Sequence, residues 1–273
     1  MNYNLISSSQ TSHSAVETVL RHRDLSDDEI YKFLNPSKDN TYSPYELANI
    51  KDAAKAIVNA LSNQEDIYIQ VDSDCDGYTS SALLINYLYG IAPATVLNHV
   101  TYGLHSSKQH GIDMSSIKEK TKLVIIPDAS SNEVKPHTLL HDRGIEVVVL
   151  DHHEFCLDDD PAIIVNNQFG DYPNRALSGV GIVYKLCQLI DEFLPIDERK
   201  ADLELDLVAV GMIADMMDLR SAETKYLITE GLNNITNPFI SAMRKKNEFV
   251  MKGIMSPFTV SFYIAPFVNA VTR

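Results

Sequence analysis

Long apolar runs are missing from this sequence, and nothing approaches the roughly 20 consecutive apolar residues a membrane-spanning helix needs. No membrane partner is expected. Cysteine is scarce: Cys75, Cys156 and Cys187 are odd in number and share no metal-type spacing, which fits reduced thiols better than a disulfide framework. Residues Met1 to Gln10 lack the charged and apolar regions of a secretory leader, so a cytoplasmic location is expected. Basic residues are also few, 23 Lys and Arg against 37 Asp and Glu, for a net charge of −14. Tight non-specific nucleic-acid binding draws on Lys and Arg neutralising phosphates, and this balance argues against it. Nucleic acid is not excluded, because several acids gather in loops where bound cations would offset them. Repeats and low-complexity tracts are absent as well.

What is present is enough for one large α/β domain or two small ones, with 273 residues of which 45% are hydrophobic. Residues 14–62 read as helical and polar-faced. Ala15 to Arg21 forms one helix and Ser26 to Leu34 another, the latter opened by a Ser26/Glu29 capping box and stopped by Pro36. A third, from Pro44 to Leu61, carries Leu47, Ile50, Ala54, Ile57 and Leu61 on one face. Residues 1–65 are therefore expected to form a helical cover on a unit spanning 66–273. From Asp66 the pattern alternates, with strands predicted at 67–71, 95–100, 122–127, 145–150 and 162–165 and helices near 79–89, 132–142 and 179–193. That alternation implies an α/β fold with a mainly parallel sheet flanked by helices. Beyond Pro195 the chain reads as helical over 203–217, 223–233 and 237–250, with one more strand expected from Phe258 to Ala265.

The stretch Val71 to Ser80 (Val-Asp-Ser-Asp-Cys-Asp-Gly-Tyr-Thr-Ser) follows an apolar β-branched run and precedes an apolar helix. Asp72, Asp74 and Asp76 thus crowd one loop at a strand's carboxyl end, where open α/β sheets place ligands. Carboxylates at alternate positions repel one another, and a hard divalent cation is the simplest way to stabilise them, the alternative being a solvated acidic turn. A calcium hand is ruled out, since the twelfth loop position counted from Asp72 is Leu83 rather than a Glu. Three further segments end in metal-type residues. Lys122 to Pro127 runs into Asp128, Ile145 to Leu150 runs into Asp151-His152-His153-Glu154, and the apolar Gly211-Met212-Ile213-Ala214 leads to Asp215. Each has a plainer reading: Asp128 as a helix N-cap, Asp215 as a solvated helix position, the histidines as structural. Histidine is, however, the commonest metal ligand and a good acid or base near neutrality. Several such sites at element ends make coincidence a poor account.

These residues resemble the DHH phosphoesterases, and within them the RecJ-type single-strand exonucleases. Asp151-His152-His153 is similar to the signature that names the superfamily. Asp72 to Ser80 is similar to Asp-Tyr-Asp-x-Asp-Gly-x-Thr-Ser, Ser178 to Gly181 to a Gly-Val-Gly turn, and Asp206 to Asp215 to Asp-Leu-Val-Ala-x-Gly-Thr-x-Ala-Asp. The N-terminal Leu20-Arg21-His22-Arg23 and Phe33-Leu34-Asn35-Pro36 also look like the RecJ opening. The resemblance implies two Mn²⁺ (or Mg²⁺) ions. Asp74 would hold one and Asp76, His152 and Asp215 the other, with Asp128 bridging and Asp72 supporting or joining the cluster. His153 would sit beside the scissile phosphate, and Asp151 would orient a histidine from behind. Ser178, Gly179, Asn269 and Arg273 would meet the substrate. There are departures. Asp128 is followed by Ala129-Ser130 where the family has Cys-Gly, and Lys108-Gln109-His110-Gly111 stands where it has an Arg and a Gly-Tyr-Gly stretch. Lys108 and His110 are candidate phosphate contacts there, a solvated basic loop being the alternative. Near the end, Pro266 to Arg273 is similar to Pro-Arg-Ile-Asn-Ala-Ala-Gly-Arg, with Phe267 in place of one basic residue and Arg273 keeping the other. In relatives a linker helix, a DHH-associated domain and often an OB-fold follow; the sequence stops before them, as either a minimal form or a catalytic-core fragment would.

The expected activity is hydrolysis of single-stranded DNA from the 5′ end, in a bacterial, archaeal or phage-infected cell. A phosphodiesterase for short oligonucleotides or cyclic dinucleotides is the alternative, which the acidic surface suits. A non-catalytic DHH protein that binds a protein partner is a third reading, and a partner or C-terminal domains elsewhere are candidates to complete the enzyme.

Overall fold

The computed structural model describes residues 14–105, 110–154, 156, 159–194 and 200–271. Five parallel strands make its sheet: β1 (Asp66–Val71), β2 (Val100–Leu104), β3 (Thr121–Pro127), β4 (Glu146–Asp151) and β5 (Ile163–Asn166), in the order β2-β1-β3-β4-β5. Alternate residues feed opposite faces, as a period of two requires. Ile67, Ile69, Leu123, Ile125, Val148 and Leu150 enter the larger core, whereas Tyr68, Val124, Ile126, Val147 and Val149 enter the smaller one. Burial on both faces is why the inner strands are almost continuously apolar.

Helices α1 (Ala15–Arg21) and α2 (Asp27–Leu34) come first, each opened by a serine capping box, with a small cluster of Leu20, Leu25 and Ile30 between them. Then follow α3 (Ile50–Ser62), α4 (Cys75–Ile91), α5 (Pro93–His99), α6 (Val134–Asp142), α7 (Gly179–Phe193), α8 (Leu205–Ala214) and α9 (Ala222–Asn233). The chain closes with α10 (Pro238–Lys246), α11 (Glu248–Met251), α12 (Pro257–Tyr263) and α13 (Ala265–Val271). Helices α3, α4 and α7 cover the larger core, and α8 packs outside them against α4, α7 and α9. Helix α6 and Ile117 cover the other face. None of the helices among the described residues is long and apolar enough to cross a membrane.

The strand expected at 95–100 is instead α5. Pro93 sits in the first helical turn, where its fixed φ and missing N–H are tolerated, and β2 starts only at Val100. The strand expected at 258–265 is likewise a helix. Its β-branched and aromatic residues suggest a strand, but Pro257 in the first turn and a Ser256/Thr259 capping box start α12. The helix expected from Pro44 begins at Ile50, because Asn49 is left-handed with a φ of 62° and separates it from a short 3₁₀ turn. Helix α4 starts four residues earlier than expected, with Asp74 capping Gly77 N–H, so Asp76 stands in its first turn.

The strand order fixes where a ligand can sit. From β1 the chain goes outward to β2, then crosses back to β3 on the other side of β1. The connections therefore diverge above the carboxyl ends of β1 and β3, the switch point where such sheets open a crevice. Asp72 and Asp128 are the first residues beyond those two ends.

One buried ion pair ties the helical layer together. Lys185 Nζ of α7 lies 2.6 Å from Glu223 Oε1 of α9, and both side chains are buried. Lys185 also donates to Tyr42 O at 2.7 Å, while Glu223 accepts from Tyr42 N, the Tyr172 hydroxyl and Asn174 Nδ2. Removing one partner of such a pair strands the other charge, at a cost of about 3–5 kcal/mol. Glu223→Gln should therefore lower the melting temperature by roughly 10 °C, at about 2–4 °C per kcal/mol for a domain of this size. Calorimetry checks it, and a shift below about 2 °C would show that the network is relaxed or hydrated.

Candidate metal centre

The six acids named from the sequence reach the crevice from five elements. Asp72 leaves β1, Asp74 caps α4, Asp76 stands in its first turn, Asp128 leaves β3, Asp151 ends β4 and Asp215 caps α8 at its carboxyl end. Three groups have ligand atoms within 4.8 Å of one another: Asp76, His152 and Asp215; Asp72, Asp74 and Asp128; and Asp128, His152 and His153. His152 Nε2 lies 3.3 Å from both Asp128 Oδ1 and Asp215 Oδ2. Neither His152 Nε2 nor Asp128 Oδ1 has a hydrogen-bond partner, although both are buried. A buried polar atom without a partner costs free energy, and donor atoms that converge on one point are relieved by a cation.

The backbone is arranged around this point. Asp128 has a φ of 65°, in the left-handed region that costs a non-glycine residue roughly 1–2 kcal/mol. Its N–H donates to Leu150 O at 2.8 Å, which binds the ends of β3 and β4 together. Ser130 is left-handed too, with a φ of 81°, at the position where the family motif has glycine. Two glycines admit the carboxylates: a Cβ on Gly179 would lie 2.5 Å from Asp128 Oδ1, and one on Gly211 would lie 2.5 Å from Asp76 Oδ1.

Ser178 and Gly179 face a carboxylate rather than open space. The Ser178 hydroxyl donates to Asp76 Oδ1 at 2.9 Å and Gly179 N–H to Asp76 Oδ2 at 2.7 Å, so the positive end of α7 meets Asp76. Asn269 on α13 accepts from Cys75 N–H at 2.8 Å, which braces the first turn of α4. His110 is paired through Nδ1 with Asp72 at 2.8 Å. Lys108 and Arg273 lie outside the described residues. Sequence reading missed Asn166, whose Nδ2 donates to His153 O and to Ser131 Oγ, and Ser131, whose N–H donates to Asp151 Oδ2. The only hint was a pair of asparagines ending β5.

Asp151 holds the two histidines. Its Oδ1 accepts from His152 N–H at 2.7 Å, His153 N–H at 3.2 Å and His153 Nδ1 at 2.7 Å. Burial alone would raise the Asp151 carboxyl, but these bonds and the His153 charge overcome it and hold the group below the ordinary carboxylate range. The same bond pushes His153 up to about 9, so at neutral pH it is an imidazolium, and more than half of its side chain is exposed. His152 goes the other way. Burial and the neighbouring His153 charge bring it down to about 4, leaving a neutral ring fit for ligation. Beside His153 opens a cavity of about 340 Å³, lined by His110, Asp128, Ser131, Glu133 and Asp151 among others.

The donors suit a hard or borderline divalent cation, being carboxylate oxygens and imidazole nitrogen. Cys75 is no competitor, since its thiol is buried in the core and pushed up to about 12. Burial and mutual repulsion raise Asp76 to about 7, Asp215 to about 6 and Asp128 well above the ordinary range. A carboxyl raised in the folded state holds a proton that the unfolded chain releases. Stability from these groups is thus greatest below about pH 4 and falls as pH rises through 6–7. Chelator-treated protein should melt lower at pH 7.5 than at pH 5. Manganese at about a hundred times its dissociation constant should restore roughly 5–10 °C at pH 7.5 and less at pH 5. A melting temperature flat across that range in chelator would contradict the arrangement.

A parallel α/β sheet with a cluster of acids and histidine at its switch point makes a ligand crevice whose side chains could hold a divalent cation. Residues 66–212 match the DHH family, N-terminal domain. The chain belongs to the DHH family. It is 40% identical over 274 residues to YorK of Bacillus subtilis (strain 168), a prophage-derived protein assigned as a single-strand DNA-specific exonuclease, matching 100% of this chain and 46% of that one. It is 31% identical over 258 residues to the single-stranded-DNA-specific exonuclease RecJ of the same organism, matching 88% of this chain and 30% of RecJ. RecJ from Thermus thermophilus in complex with Mn²⁺ superposes with a TM-score of 0.66 at 27% identity, over 83% of this chain and 33% of that one. The chain thus spans less than half the length of these relatives.

Proposed function

We propose that this chain is a metal-dependent phosphodiesterase that removes nucleotides from the 5′ end of single-stranded DNA. The observation that carries the reading is the pair of orphaned buried donors, His152 Nε2 and Asp128 Oδ1, set among Asp76 and Asp215 on one side and Asp72 and Asp74 on the other. Asp76, His152 and Asp215 would hold one Mn²⁺ or Mg²⁺, Asp74 the second, and Asp128 would face both. The two cations, when bound, supply charge neutralisation at the phosphate and activation of water.

The protein's own groups do the rest. His153, held as an imidazolium by Asp151, donates a hydrogen bond to a phosphate oxygen and can pass its proton to the leaving oxygen. Asp151 keeps that ring's Nε2 directed outward by accepting from Nδ1. Ser178 and Gly179 hold Asp76 in place, while His110 fixes Asp72. In this reading residues 66–273 are the catalytic unit and 1–65 its helical cover. The single-strand preference rests on the similarity to YorK and RecJ, and C-terminal domains or a partner protein would complete the grip on DNA.

A second reading is favoured by the net charge of −14 and by the cavity of about 340 Å³ beside His153, within the roughly 300–1,000 Å³ of small-ligand sites. It is a phosphodiesterase for short oligonucleotides or cyclic dinucleotides. One assay separates the two: end-labelled single strands, duplexes, dinucleotides and cyclic dinucleotides incubated with the chain and Mn²⁺. Mononucleotide release from the 5′ end of single strands supports the first reading. Cleavage confined to dinucleotides supports the second, and no cleavage of any substrate refutes both.

A further inference from the structure

The basic and aromatic residues of this acidic chain are not spread evenly. Residues 238–271 carry Arg244, Lys245, Lys246 and Lys252 against a single acid, Glu248, in a chain with 23 basic and 37 acidic residues. The same stretch holds five of the nine phenylalanines, Phe239, Phe249, Phe258, Phe262 and Phe267, and all five are exposed. Phe249 is 95% exposed, Phe258 63% and Phe262 62%. Burying a phenylalanine ring is worth about 1.5–3 kcal/mol, so exposed rings grouped in one region mark a contact surface.

The geometry suits flat, anionic partners. Phe258 and Phe262, one turn apart on α12, have ring centroids 4.6 Å apart and planes tilted by 34°, a near-stacked pair with its outer surface in solvent. Lys246 Nζ lies 5.2 Å from the centroid of the Phe267 ring, which brings the basic end of α10 against α13. Helix α13 in turn reaches the acid cluster, because Asn269, two residues beyond Phe267, accepts from Cys75 N–H beside Asp74. Helix α13 therefore lies beside the start of α4, where Asp74 and Asp76 stand.

We infer that α10–α13 form a stacking platform for the bases of a single strand whose scissile phosphate lies at the acid cluster. This deepens the single-strand reading and rests on it. Rings that stack on bases, with Lys and Arg beside them for phosphates, bind single strands with little regard to sequence. A protein segment covering an apolar patch is the competing occupant, but it would not by itself call for four cations in a chain this acidic.

The test is fluorescence anisotropy of a labelled fifteen-residue oligothymidylate titrated with the full chain, with calcium in place of manganese to hold off cleavage. Variants Phe258→Leu with Phe262→Leu, and Phe258→Trp with Phe262→Trp, separate stacking from simple apolar contact. The leucine variant should bind the strand at least fivefold more weakly per ring, within the roughly 5- to 150-fold range for a lost base stack, while the tryptophan variant binds as well as wild type or better. Lys245→Glu with Lys246→Glu should flatten the salt dependence by a log–log slope of about 1.4, at about 0.7 per phosphate. Melting temperature and manganese affinity measured on each variant show that it is folded.

Leucine and wild-type chains that bind the strand equally would overturn the platform. So would a wild-type dimer that the leucine variant turns into a monomer with strand binding unchanged, since the patch would then be a protein interface. If wild type digests single strands while the leucine variant binds them normally, only the platform fails. If wild type neither binds nor digests them, the single-strand reading fails with it.

Discussion

Replacing Asp128 with alanine should abolish turnover, by at least about 10⁴-fold, and should remove most of the bound manganese. Among the described residues, Asp128 is the carboxylate whose oxygens face both groups of donors, near His152 on one side and Asp72 and Asp74 on the other. Its loss would weaken both cation sites, and several kcal/mol of charge stabilisation at about 1.4 kcal/mol per decade gives that factor. Asp72→Ala should be milder, because Asp72 spends its hydrogen bonds on His110. Elemental analysis of both purified variants checks the order. Should Asp72→Ala lose all the manganese and Asp128→Ala none, the two roles are reversed.

His153→Ala should keep its manganese and still lose about 10²–10⁴-fold in turnover, the usual range for a positioned acid or base. The proton on His153 sets the pH dependence. With the Asp151 bond holding His153 up to about 9, the ring is an imidazolium below that pH and a weaker donor above it. Turnover of the wild-type chain should therefore fall on the alkaline side, through a limb at or below about pH 9. The limb moves lower when cations sit nearby, since they repel the proton. In His153→Ala that limb should disappear. A loss under about tenfold, or a limb that survives the substitution, would make His153 a structural residue.

The inner strands were legible because β1, β3 and β4 are buried on both faces, which writes them as nearly continuous apolar runs that lead into acids. The edge strand β2 was not. Tyr102 and Leu104 are largely exposed, so little burial pattern marks it, and the more suggestive Thr95-Val96-Leu97 before it is wound into α5. Phe258 to Tyr263 misled for a related reason, because strong β-propensity gave way to a proline and a capping box that start a helix.

Within the site, the acids and histidines were visible because each follows an apolar segment at its end. Their supports were not. Ser178 reaches Asp76 across 102 residues and Asn166 reaches Ser131 across 35, separations that no local pattern encodes. Gly211 lies inside the helix expected over 203–217, and only the packing of α8 on α4 shows that it leaves room for Asp76.

Anomalous scattering from manganese-soaked crystals tests the central claim most directly. Two neighbouring peaks are expected above the carboxyl ends of β1, β3 and β4, one against Asp76, His152 and Asp215, the other against Asp74, with Asp128 touching both. A single peak on Cys75, or none while the crystals diffract with the cluster intact, would contradict it.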